Sequence, residues 1–432
     1  MKKRLIALLL ACCMLFALAA CGGDNPGSSQ NPSGGNSQNP GGGGGGGTPV
    51  NDGTQGVTDT EIIIANSAAV SGNYAPVGLP FLAGIQGYLD MVNDAGGIDG
   101  RKITFIHQDD EFDPVKGKSY LQELVEDDKV FAIVGHFGTP VVSATLDDLK
   151  NYGIPAVYFA TGIGQLFSQN ATTNADGYNI FPIQPLYITE GQVMVARGVG
   201  NFKATKIGII YTSDDAGMNM YEGAQMKAKE LGVELVAEQV AAGAADVSAA
   251  VTSMKNAGVD FMISGAIQAT TPTIVKEMAN QGLYVPTITT YVCASVAITE
   301  QIASDIAGKF DVYASSWKIR DDNHKVDVDQ FNEWVDPDYV SNTDAESGWV
   351  AASIFCQALR RLEGKEVTWT SFMAALEEAP LDVPFGGSIS FANGQRTGVE
   401  EMLLSKCNPN VNGGWEQVYD MASMDAIIAG AN

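Results

Sequence analysis

VFAIVGHFGTPVVSATLDDLKNYGIPAVYFATG, residues Val130–Gly162, reads as strand, helix, strand. Val130 to Gly135 is an unbroken apolar run with no exposed face, the pattern of a strand buried on both sides. Thr139-Pro140 opens a helix, with the threonine as N-cap and the proline at the first helical position. Pro155 to Phe159 is the next strand. Strand and helix in alternation call for a parallel sheet covered by helices, an α/β architecture.

The alternation extends both ways. Upstream, Glu61 to Ala65 is a short β-branched run, and Leu79 to Asn93 has helical periodicity closed by Gly96-Gly97. Lys102 to His107 is strand-like, and Asp113-Pro114 starts a helix to about Glu126 by the same device of cap and proline. Downstream, a helix from about Thr189 leads to strand Lys206–Thr212, helix Met218–Leu231 and strand Val233–Gln239. Helix Val247–Ala257, strand Asp260–Ser264, helix Thr273–Gln281 and strand Val285–Thr289 follow. Two βαβαβ blocks predict two lobes, as does a body of about 375 residues, more than one core usually serves. Beyond about residue 310 come a long helix, Ala345–Leu362, and a shorter one, Ser371–Ala379. A β-rich tail holds Ser388–Phe391, Met402–Ser405 and Trp415–Tyr419. These segments must return to lobes already built, so the chain is expected to cross between them more than once.

The first residues carry an address. Lys2, Lys3 and Arg4 precede an uncharged apolar run, Leu5–Leu18, which ends in Ala19-Ala20 before Cys21. This is the order of a signal peptide, and the run is too short for a comfortable membrane span. Residues 22–56 are mostly Gly, Ser, Asn, Gln and Pro, including Gly41–Gly47, a composition that forms a flexible tether. No other stretch reaches the roughly 18 uninterrupted apolar residues of a membrane helix.

The net charge is −25, from 25 Lys+Arg and 50 Asp+Glu, and cleavage of the leader would remove three of the cations. A field of this sign argues against nucleic acid as partner. Cys293, Cys356 and Cys407 are widely spaced, with neither CxxC pairing nor metal-ligand spacing. Buried thiols are expected, and a disulfide among them is not readable from the sequence.

Several short motifs in a fixed order carry a resemblance. They begin with Val70-Ser71-Gly72-Asn73-Tyr74 and Gly78, then Ala95-Gly96-Gly97-Ile98-Asp99-Gly100-Arg101, then Asp109-Asp110 with Asp113-Pro114. Ile133-Val134-Gly135-His136 with Thr139, and Gly153-Ile154-Pro155 leading to Ala160-Thr161-Gly162, complete the first block. The second block offers Lys206-Ile207-Gly208-Ile209-Ile210-Tyr211 with Asp214-Asp215 and Gly217, Asp260-Phe261 before Gly265, and Gln281-Gly282-Leu283. Together, from about Thr58 to Ile389, these are similar to the leucine/isoleucine/valine-binding type of periplasmic binding protein, the type I substrate-binding proteins of ABC transporters. Leu18-Ala19-Ala20-Cys21 resembles the lipobox of bacterial lipoproteins, which implies lipid on Cys21 and anchorage to the outer face of the cell membrane.

The resemblance implies two Rossmann-like lobes, joined by three hinge crossovers, with the ligand cleft between them. The crossovers are expected near Pro185, Ser315 and Gly386. The chain then divides into signal peptide 1–20, lipidated Cys and tether 21–57, first lobe 58–185 plus 316–386, and second lobe 186–315 plus 387–432. It further implies capture of a small organic carboxylate for an ABC permease and its ATPase, by a monomer, with neither cofactor nor metal.

Strand ends beside helix N-termini are where such sheets bind ligands, and unpaired N–H groups there attract anions. Phe137-Gly138-Thr139 and Ala160-Thr161-Gly162 follow two strands in this relation, and in the family these loops hold the ligand's carboxylate. Tyr74, Phe137, Tyr187 and Tyr291 would supply an aromatic wall, with Gln184 and Gln268 as polar fixers. Family members that bind amino acids commonly hold the ammonium with an acid after the last second-lobe strand, where this chain has Tyr291. Branched-chain or other amino acids and aromatic or aliphatic acids thus all remain open as ligands.

Enzyme readings find little support. His107, His136 and His324 have no zinc spacing, no G-x-S-x-G elbow occurs, and Gly117-Lys118-Ser119 lacks the first glycine of a P-loop. Asp321-Asp322-Asn323 reads as an acidic loop, not a calcium site. A lipid-anchored hydrolase is a distant alternative. A closer one is the ligand-binding part of an extracytoplasmic sensor, since the same module serves both uses.

Overall fold

A computed structural model describes residues 53–172 and 176–431. The leader, Cys21 and the tether up to residue 52 lie outside the described residues.

The first lobe begins with β1 (Glu61–Ala68), α1 (Ala75–Asp94), β2 (Lys102–Asp109) and α2 (Pro114–Glu126). It continues with β3 (Ala132–Phe137), α3 (Thr139–Tyr152), β4 (Ala156–Ala160) and β5 (Ile180–Phe181). The strands form one parallel sheet in the order β2-β1-β3-β4-β5. The second lobe holds α4 (Tyr187–Gly200), β6 (Lys206–Thr212), α5 (Asp215–Leu231), β7 (Glu234–Val240) and α6 (Ser248–Ala257). β8 (Phe261–Gly265), α7 (Thr271–Gln281), β9 (Thr287–Thr289), α8 (Val296–Ile306) and β10 (Val312–Ser316) complete its first pass. The chain then returns to the first lobe for α9 (Lys325–Trp334), α10 (Thr343–Arg360), α11 (Trp369–Glu378), β11 (Leu381–Asp382) and β12 (Ser388–Ile389). It ends in the second lobe with β13 (Glu401–Cys407), β14 (Trp415–Ser423) and α12 (Met424–Ala429). The second sheet runs β14-β13-β10-β9-β8-β6-β7, parallel except for β13 and β14. This is the two-lobed α/β fold expected from the alternation.

Two expectations need correcting. Gly138, not Thr139, is the N-cap of α3, and the Thr139 side chain makes no capping bond. Gly138 sits at φ 91°, and a Cβ there would lie 2.5 Å from the Phe112 ring, so only glycine fits. With the turn made one residue early, the threonine hydroxyl is left for another partner.

The third crossing also lies beyond Gly386. Phe391 packs edge-on against Phe181 of β5 at 5.2 Å. The buried Arg396 guanidinium donates to Tyr178 O (2.9 Å) and Glu377 Oε1 (2.7 Å), both in the first lobe. The chain leaves only after Arg396, where Val399 N–H donates to Ile183 O at 2.8 Å.

In each sheet the strand order reverses about its first strand, β1 between β2 and β3, and β6 between β7 and β8. The loops leaving those strands diverge and open a crevice. Helix α10 is brought to its edge by close packing on α1. A Cβ on Gly84 would lie 1.8 Å from Ala345 O, and one on Gly348 1.8 Å from Phe81 O, so the two backbones meet where only glycine allows. Cys293, Cys356 and Cys407 are buried free thiols.

Candidate functional site

A narrow cavity of about 30 Å³ lies in the crevice. The loop after β1 contributes Tyr74, whose ring stacks on Phe112 with centroids 3.6 Å apart and planes 12° apart. Phe112 is placed by the turn after β2, where Glu111 and Phe112 both have positive φ and Asp110 Oδ1 accepts the Phe112 N–H at 2.9 Å. Phe81 and Val77 come from α1, and Phe137 from the end of β3.

Thr139 is the first residue of α3 and is buried. Its Oγ1 lies 2.8 Å from Thr161 Oγ1, so the two strand-end loops are joined through their hydroxyls. The N–H groups of Thr139 and Val141 have no carbonyl one turn back in the helix, while Pro140 carries none. Thr139, at the positive end of the helix dipole, thus faces one side of the cavity, with the Thr161 hydroxyl bonded behind it.

The second lobe supplies Tyr187, Ile267, Gln268 and Val292. Gln268 Nε2 already donates one N–H to Val292 O at 2.9 Å, which leaves its carbonyl oxygen and second N–H for a ligand. Gln184, in the first crossing, donates from Nε2 to the Tyr158 hydroxyl at 2.8 Å.

Of the residues expected from sequence, Tyr74, Phe137, Gly138, Thr139, Ala160, Tyr187 and Gln268 line the cavity. Thr161, Gly162 and Tyr291 stand behind the wall. Tyr291 Oη lies 2.9 Å from Pro185 O and 3.3 Å from Gln184 Oε1, and its ring stacks on Tyr187 with centroids 5.6 Å apart. Its backbone N–H donates to Glu190 Oε1 (2.7 Å), while Thr290 Oγ1 donates to Oε2 (2.6 Å). Burial pushes this carboxyl up to about 8. Tyr291 therefore braces the wall, and a Cβ on Gly162 would come 2.7 Å from its hydroxyl.

Asp344 and Ser347, on the first turns of α10, were not anticipated. Burial pushes the Asp344 carboxyl up to about 7, and its Oδ2 is buried without a hydrogen-bond partner. An acid in the first turn of a helix reads in sequence as a dipole partner, so nothing marked Asp344 out.

The lobes touch around the cavity. Gly164 N–H donates to Asn219 Oδ1 at 2.7 Å, Thr343 Oγ1 to Ala294 O at 2.8 Å, and Ser143 Oγ to Asp215 Oδ2. Among the described residues no group of three or more His, Cys, Asp or Glu could hold a metal, and no helix is long and apolar enough to cross a membrane.

The family model described as periplasmic binding protein matches residues 61–414. A Leu/Ile/Val-binding protein homolog 2 from Brucella abortus is 28% identical over 230 residues, 53% of this chain. The matched stretch spans only 60% of that relative. A branched-chain amino acid ABC transporter protein from Thermus thermophilus, solved with bound valine, superposes with a TM-score of 0.74 at 17% identity, covering 86% of this chain and 98% of its own. A solute-binding protein from R. palustris in complex with benzoate gives 0.69 at 18% identity, covering 83% and 98%. At these identities the solved structures establish the fold.

Proposed function

The chain belongs to the periplasmic binding protein family, and we propose that its cleft captures a small organic carboxylate outside the cytoplasm and delivers it to an ABC importer. As a binding protein it holds its solute without transforming it. The observation that carries the carboxylate is the start of α3, where Thr139 and its partner Thr161 meet free N–H donors beside an aromatic slot. Charge-assisted hydrogen bonds at a helix N-terminus are the physical basis of such a site. Valine and benzoate, held by two proteins of the same fold, have a carboxylate in common.

The experiment compares carboxylic acids with their primary amides by thermal shift, then calorimetry. A ligand bound only by the folded state raises the melting temperature by mass action. Acids should stabilise and the matching amides should not; equal stabilisation by both would defeat the anion-site reading.

We further propose that Cys21 is lipidated and that residues 22–56 tether the domain to the membrane. Fatty-acid probe labelling of cells should mark the parent protein and fail on Cys21→Ala, and label retained on the variant would refute the anchor.

A further inference from the structure

Among the described residues Asp344 is the one carboxylate that lines the cavity, and it forms no ion pair, although the charge of Lys318 reaches it. The nearby cations are committed elsewhere. Lys318 has three N–H donors; they face Thr343 O, Ser347 Oγ at 2.7 Å and Glu346 Oε2 at 3.6 Å. Arg320 donates from Nε to Glu346 Oε1 and from Nη2 to Val340 O at 2.7 Å. The side chain cannot withdraw, because α10 is locked on α1 at Gly84 and Gly348 and Asn342 Oδ1 accepts the Asp344 N–H at 2.7 Å. A buried carboxylate oxygen without a donor is costly, and the upward shift of its pKa to about 7 reports that cost.

We propose that Asp344 is the specificity-determining residue of the cleft, which receives a protonated nitrogen on the ligand and so favours zwitterions over plain acids. This rests on the carboxylate reading above: the hydroxyls and N–H groups of α3 take one end of the ligand, and Asp344 takes the other charge. The countercharge comes from the first lobe, on a helix N-terminus, and not from the second-lobe strand end where Tyr291 stands.

The test uses matched pairs, L-phenylalanine against 3-phenylpropanoate and L-leucine against 4-methylpentanoate, within a thermal-shift panel of amino acids and their amine-free counterparts. The hit pair is then titrated by calorimetry on the parent and on Asp344→Asn. The amine-bearing member should bind the parent at least about tenfold more tightly, as a charge-assisted bond predicts. Asp344→Asn should erase that preference and leave the amine-free acid within about twofold. The variant without ligand should melt no lower than the parent, since a neutral amide of the same shape replaces a desolvated acid. A panel in which only amine-free acids stabilise the protein overturns the role of Asp344 and leaves the carboxylate reading standing. So does a variant that weakens both members of a pair equally, which would mean a neutral Asp344 donating to the carboxylate. A panel in which no carboxylate stabilises the protein overturns both.

Discussion

The first lobe brings to the cleft the Thr139 hydroxyl, backed by that of Thr161, the carboxyl of Asp344 and the rings of Tyr74, Phe81, Phe112 and Phe137. The second brings Tyr187, Ile267, Val292 and a glutamine with one of its two amide N–H groups already in use. Directional groups lie on one wall and mostly apolar area on the other. Hydrogen bonds fix which ligand binds and how it lies, whereas apolar burial is non-directional and rewards any well-shaped closure. On the proposed reading the lobes divide the labour: the first recognises, and the second covers.

The lobes also differ in how they titrate, and this carries the largest expected effect. In the first lobe, burial holds His107 and His136 down at about 4 and pushes Asp110 up to about 6 and Asp344 up to about 7. Between about pH 4 and 6 these oppose one another. The histidines cost stability as pH falls below the unfolded value of 6.5, and the acids cost it as pH rises above 3.8. Glu190 of the second lobe stands without such an offset. Its pKa rises from 4.5 to about 8, so the folded state keeps a proton that the unfolded chain has lost. Its contribution is fully present below pH 4.5 and declines as pH rises through 8, by about 1.4 kcal/mol per pH unit in between. The protein should therefore melt at a clearly higher temperature at pH 6 than at pH 8. Glu190→Gln, which mimics the protonated acid toward Thr290 and Tyr291, should reduce that difference in a calorimetric melting series, leaving the part that Asp344 contributes. An unchanged slope in the variant would place the titration outside the second lobe.

How much of this was legible in the sequence follows from what kind of signal each feature leaves. Apolar runs and helix-opening prolines revealed most elements, and Asp113 caps α2 as its place before Pro114 suggests, its side chain accepting from Val115 N–H at 2.8 Å. The interior strand β10, Val-Tyr-Ala-Ser-Ser, was not legible because only Val312 and Tyr313 favour a strand and the three small residues after them add no signal. The late third crossing was hidden because a fully buried arginine, Arg396, ties the chain to the first lobe, and charge in a sequence is read as surface. The site was legible where it sits on local strand–helix junctions, at Gly138, Thr139 and Ala160. It was not legible at Asp344 and Ser347, which reach the cleft only because α10 packs on α1 some 260 residues away in the chain.

The smallest effect tests the division of labour most directly, by pairing one substitution from each wall. Thr139→Val keeps the shape and removes the hydroxyl. A hydrogen bond to a charged group is worth about 1.5–3 kcal/mol, so carboxylate affinity should fall about ten- to a hundredfold. The structure shows no capping bond from this side chain, so helix stability should be spared. Gln268→Ala removes a side chain with one of its two amide N–H groups already bonded to Val292 O, so its carbonyl oxygen, its second N–H and its area are lost to a ligand. A single neutral hydrogen bond nets about 0.5–1.5 kcal/mol, which predicts a loss of at most about tenfold. The loss should appear mainly as faster release, because a lid sets how long a ligand stays more than how it is first met. Calorimetry for affinity and stopped-flow fluorescence for release measure both. Should Gln268→Ala cost as much as Thr139→Val, or slow capture instead of speeding release, the second lobe would be recognising the ligand directly and the contrast between the walls would be broken.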